Sequence, residues 1–81
     1  MSEKTVFNHY LYDLGPIIME RALEAKAQVK SAKPGADKSF HEGRLIAFNE
    51  VVSIMQQQAQ GLGISLADLR LEGVVPDRDL V

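Results

Sequence analysis

Two long stretches of the chain carry apolar residues at spacings of three and four. In the first, Phe7, Leu11, Leu14, Ile18, Ala22, Ala25 and Val29 line up. That is the stripe of an amphipathic helix. It predicts a helix from about Lys4 to Ser31, with Glu20, Glu24, Lys26 and Lys30 largely off the stripe. Gly15-Pro16 interrupts the pattern chemically. A proline inside a helix removes a hydrogen bond and crowds the preceding turn, at about 3 kcal/mol or more. Asp13 could instead cap a new helix with Pro16 in its first turn. The apolar phase continues across Pro16, which favours one kinked helix.

Ser31-Ala32-Lys33-Pro34-Gly35-Ala36-Asp37 has a Pro-Gly pair and no large apolar group. It reads as a loop over about 32–36. A second helix is expected over about 37–62, with Asp37 as its N-cap. Here Phe40, Ala47, Val51 and Ile54 form one apolar stripe. Leu45, Phe48, Val52, Met55, Ala59 and Leu62 form another beside it. Gly61 and Gly63 suit the end of this helix. Ser65-Leu66-Ala67-Asp68 then reads as a capped start. It gives a short helix over about 66–70, followed by an irregular apolar tail, 71–81.

A short loop between two long helices makes an antiparallel hairpin. Folding about Pro34-Gly35 sets Ala25 near Arg44, Ile18 near Val51, and Leu11 near Gln58 or Ala59. The expected fold is therefore a single all-α domain: a helical hairpin with a kinked first helix and a short C-terminal helix. Two helices alone enclose no core, and the second helix has two apolar stripes. One must be covered by the tail, by a second copy or by another protein. Twofold pairing into a four-helix bundle is the expected solution, hence a homodimer. The rival is a monomer whose tail covers that face.

Composition narrows the function. The chain has 81 residues, 46% of them hydrophobic, which is one small domain. A chain this short buries only about 60% of the surface it exposes when unfolded, so a deep substrate cleft is not expected. Without cysteine there is no disulfide, thiolate metal site or cysteine nucleophile. A formal charge of −2 argues against nucleic acid as a general partner. No segment approaches a membrane span, and the N-terminus lacks the pattern of a signal peptide. The expected location is cytoplasmic, by elimination.

Candidate chemistry is sparse. Glu20 and Glu24 are four apart, and Glu42 and Glu50 eight apart. Neither matches the Glu-x-x-His ligand pattern of metal-binding bundles. His41-Glu42 lacks the second histidine of a zinc-protease motif, since position 45 is leucine. Gly61-Leu62-Gly63 lacks the rest of a phosphate loop. No catalytic, cofactor or metal residues are expected, and a metal-dependent helical enzyme is a minor alternative. The residues singled out are structural or partner-contact candidates. Gly43 costs a helix about 1 kcal/mol and suggests close backbone approach. Arg44 is expected to pair with Glu24, and Arg21 with Glu50, across the hairpin. Gln58, in a glutamine cluster, could be a buried polar residue that fixes register, with a solvated helix end as the plainer explanation.

Ala59-Gln60-Gly61-Leu62-Gly63-Ile64-Ser65 resembles the turn of a helix-turn-helix. Its recognition helix would be Leu66 to Arg70, which is short and apolar and carries an aspartate. A DNA-associated regulator is therefore a secondary alternative.

Phe40-x-x-Gly43-Arg44-x-x-Ala47-Phe48-x-Glu50-Val51-x-Ser53-x-Met55-x-x-Gln58-Ala59 is followed by Gly63-Ile64 and Pro76-Asp77-Arg78-Asp79-Leu80. The pattern covers about half the chain. It resembles small uncharacterised bacterial helical proteins, some similar to predicted immunity proteins that neutralise polymorphic toxins. The resemblance implies a binding protein without catalysis and carries no active-site residues. The expectation is a non-enzymatic protein acting by protein–protein contact, with toxin neutralisation as the role that the resemblance implies.

Overall fold

A computed structural model describes the backbone of residues 3–81 and the side chains from Thr5 onward. The order is α1 (Glu3–Ser31), α2 (Ala36–Gly61), a 3-10 turn (Leu66–Leu69) and α3 (Pro76–Asp79), with no strand among the described residues. The hairpin is a thin slab, 49 × 23 × 16 Å. The fold is the all-α hairpin with a short C-terminal helix that the apolar spacing predicts.

α1 runs through Pro16 as one helix. The loop closes with Gly35 at φ 122°, a conformation that L side chains rarely adopt. Gly35, not Asp37, is the N-cap of α2, and no side chain caps this end. Asp37 lies one position into the first turn, where its carboxylate meets His41 Nε2 at 3.5 Å.

The core is small. Ala22, Ala25, Leu45, Val52, Ala59, Leu69, Leu71 and Leu80 are buried. The alanines of α1 let the two helices approach closely. Leu45, Val52 and Ala59 recur every seven residues along α2 and share one line on its surface. They belong to the second of the two stripes in the sequence. The largest fully enclosed side chains among the described residues are Leu71, Leu80 and Val52.

α2 ends in a Schellman arrangement. Ile64 N–H donates to Ala59 O at 2.8 Å and Gly63 N–H to Gln60 O at 3.2 Å, with Gly63 at φ 71°. This reverses the chain and sends the tail back along the hairpin. Ser65 caps the 3-10 turn, accepting from Ala67 N–H at 3.2 Å. The turn then crosses α1 at Gly15. A Cβ on Gly15 would lie 1.7 Å from Leu69 O, so only glycine admits this crossing. The last residues are not wholly irregular. Pro76 opens a single helical turn, and Asp79 Oδ2 accepts Val75 N–H at 2.9 Å.

Candidate interaction surfaces

The tail divides the hairpin into two unlike faces. On its own side, three polar side chains bind tail carbonyls. Gln56 Nε2 donates to Val74 O at 2.8 Å and Leu71 O at 3.2 Å. Asn49 Nδ2 donates to Pro76 O at 3.0 Å and Leu80 O at 3.4 Å. Lys26 Nζ reaches Asp79 O at 2.9 Å. Asn49 and Gln56 flank one side of the Leu45–Val52–Ala59 line. Arg70, at the left-handed φ of 56°, lays its guanidinium 4.9 Å from the Tyr12 ring centre. Arg78 bonds Asp79 at 2.7 Å. Those bonds, together with the Val75 amide, hold the Asp79 carboxyl down at about 2.

Beyond the other side of that line lies the first stripe, and its large side chains stay exposed. Phe40 is 63% exposed, Ile54 51% and Val51 40%. α1 contributes Phe7, Tyr10 and Ile17 from its matching side, all more than half exposed. Between the helices this face sinks into a groove of about 380 Å³, floored by Leu11, Leu14, Met55 and Ala59, with Ile64 and Leu69 of the tail also lining it. Charge is scarce along it. Arg21 and Glu24, toward the loop, bond each other at 3.7 Å.

A second groove, of about 610 Å³, runs along the edge of α2 beside the chain end. Val29, Leu45, Ile46 and Leu80 line it, with Glu42 and Glu50 at its margin. Both glutamates are exposed, and neither makes an ion pair among the described residues.

Several candidate residues sit elsewhere than expected. Arg44 Nη1 donates to Gln28 Oε1 at 2.6 Å and its guanidinium lies 5.8 Å from the Phe48 ring centre; it does not pair with Glu24. Gln28 is one turn closer to the loop than Glu24, so the side chain of Arg44 meets an amide instead. Arg21 pairs with Glu24 on its own helix, and Glu50 stays on the edge groove. Gly43 has no atom within 4 Å of its would-be Cβ. The glycine that permits close approach is Gly15. Gln58 is exposed on the open groove, not buried. The glutamine that fixes a packing partner is Gln56, half-buried under the tail.

The sequence pattern did not single out Asn49 or Gln56, although both are polar residues placed beside an apolar line. The 3-10 turn offers no recognition helix: it has four residues and Leu69 is buried. Among the described residues no group of three His, Asp or Glu could hold a metal ion, and no helix is long and apolar enough to cross a membrane. No family model, curated protein or solved structure matches the chain.

Proposed function

We propose that this chain is a small non-catalytic helical protein that works by protein–protein contact. The observation that carries the reading is the uncovered apolar face. Apolar side chains gathered on one face of a small protein, with charge kept to the margin, mark an interaction surface. Self-association into a homodimer belongs to the same reading. Toxin neutralisation is the cellular role that the resemblance over Phe40 to Ala59 implies. Four of its residues, Phe40, Ala47, Val51 and Gln58, are exposed on that face. The short 3-10 turn and the scattered carboxylates give no support to the DNA-binding and metal-enzyme alternatives.

The test is co-expression with the products of adjacent genes. A neighbour that arrests growth alone, is silenced by this chain and co-purifies with it in fixed stoichiometry supports the reading. Rescue without a complex would overturn contact as the mechanism, because it would require turnover. Absence of any growth-arresting neighbour would remove the toxin assignment.

A further inference from the structure

We propose that the face opposite the tail is the seam of a symmetric dimer, with Val51 and Ile54 at its centre and the twofold axis passing beside them. The proposal rests on the protein-contact reading and names the occupant of its surface as a second copy of this chain.

The first argument is area. The chain exposes 5587 Å². A compact monomer of 9.0 kDa is expected to expose about 4,850 Å². The surplus is roughly 700 Å², close to the ~800 Å² that each partner buries in a standard interface. The shape agrees. The radius of gyration is 14.5 Å, against about 11.7 Å for a compact domain of this length. The slab is 16 Å through its thinnest direction. Stacking two slabs face to face would bring four helices around a common core, the arrangement a hairpin needs to enclose one.

The second argument is charge. A twofold contact sets each patch against itself, so any unpaired charge on it meets its own like. The edge groove fails this condition, because Glu42 and Glu50 would face Glu42 and Glu50. The open face comes closer to it. Leu14, Ile17, Val51 and Ile54 are apolar, Arg21 is neutralised by Glu24, Arg44 is held by Gln28 and the Phe48 ring, and Glu50 lies at the border with the edge groove. The tail side fails for a different reason: Lys26, Asn49 and Gln56 are already engaged with carbonyls of the same chain. Of the three surfaces, the open face is apolar at its centre and its Arg44 is already engaged within the chain.

The experiment is molar mass by light scattering over a concentration series, on the whole chain and two variants. Ile54→Asp changes the centre of the proposed seam. Ile46→Asp changes a residue of the edge groove that is more exposed still, at 67% against 51%. Neither side chain belongs to the core, and circular dichroism on each variant reports that the helices persist; Ile17→Asp, from the other helix, replaces Ile54→Asp if that variant unfolds. The expected result is a wild-type dimer, an Ile54→Asp monomer shifted at least a hundredfold in dissociation constant, and an Ile46→Asp dimer. A wild-type monomer at high micromolar concentration would overturn the seam while leaving the protein-contact reading intact for a different partner. A dimer lost in Ile46→Asp and kept in Ile54→Asp would move the seam to the edge groove and overturn the proposal.

Discussion

The two faces of the hairpin are built from the same kind of sequence and end differently. On the tail side, α2 places Asn49 and Gln56 beside the Leu45–Val52–Ala59 line, and α1 offers Gly15 and Lys26. These groups bind backbone carbonyls or make way for one. On the other side, Leu14 and Ile54 line a groove and Phe40, Val51, Tyr10 and Ile17 stay exposed around it, while the polar pair there, Arg44 with Gln28, joins the two helices and not the tail. A returning strand of irregular backbone needs its carbonyls satisfied. The first face supplies donors to the tail carbonyls. The more apolar face is therefore the one left uncovered, because apolar surface suits another packed helix layer and not a loop.

That contrast can be broken from the tail side. Leu71→Ala is expected to cost most. The side chain is fully enclosed between the helices, and truncating such a leucine costs about 3 kcal/mol. Urea unfolding would show it as a lower midpoint with an unchanged slope.

Gly15→Ala comes next and is read against Gly43→Ala. Both replace a mid-helix glycine, a change that by itself stabilises by about 1 kcal/mol. At Gly43 the space is open, so that gain appears as a higher melting temperature. At Gly15 the new methyl meets backbone, the Leu69 carbonyl, which cannot rotate away. Overpacking of this kind costs about 1–3 kcal/mol or more, so the net sign reverses. Equal stabilisation by both changes would show that the 3-10 turn does not cross α1 there.

Gln56→Ala is smaller. It leaves the Leu71 and Val74 carbonyls without their donor, at about 1–2 kcal/mol in the same unfolding experiment. Gln58→Ala, on the open face, is expected to change monomer stability by less than about 0.5 kcal/mol. If the two glutamines proved equivalent, the distinction between the faces would not stand.

The mildest change is acid. Arg78 and the Val75 amide hold Asp79 at about 2, below its ordinary value. A carboxyl depressed on folding contributes stability above its unfolded pKa of about 3.9 and loses it as pH falls toward the folded value. Protection of the Val75 amide, its exchange measured relative to the intrinsic rate at each pH, should therefore fall between about pH 4 and pH 2. Asp79→Asn should abolish that pH dependence, and an unchanged profile would detach Asp79 from α3.

Much of this fold is legible in the sequence. Spacing of three and four finds both helices, Pro34-Gly35 finds the turn, and Ser65 marks the capped 3-10 start. The faces are not legible. Both stripes of α2 are apolar, and periodicity has no term for which one a tail will cover. The polar residues that decide it, Asn49 and Gln56, look like solvated helix surface until the returning carbonyls are in place. The argument that a mid-helix glycine marks close approach is sound physics applied to the wrong glycine. Gly15 sits next to Pro16, whose own disruption of the helix draws the attention. Arg44 shows the limit of register arithmetic: a displacement of one turn exchanges Glu24 for Gln28 and a salt bridge for a neutral hydrogen bond.

The central claim is that one face is closed by the chain's own tail and the other by a second copy. The most direct measurement is an isotope-filtered nuclear Overhauser experiment on a mixture of labelled and unlabelled protein, which separates contacts between copies from contacts within one. The account predicts between-copy signals at the methyls of Val51, Ile54 and Ile17, and only within-copy signals linking Leu71 to Gly15. Between-copy signals at Leu71 and Leu80, with none at Ile54, would contradict it.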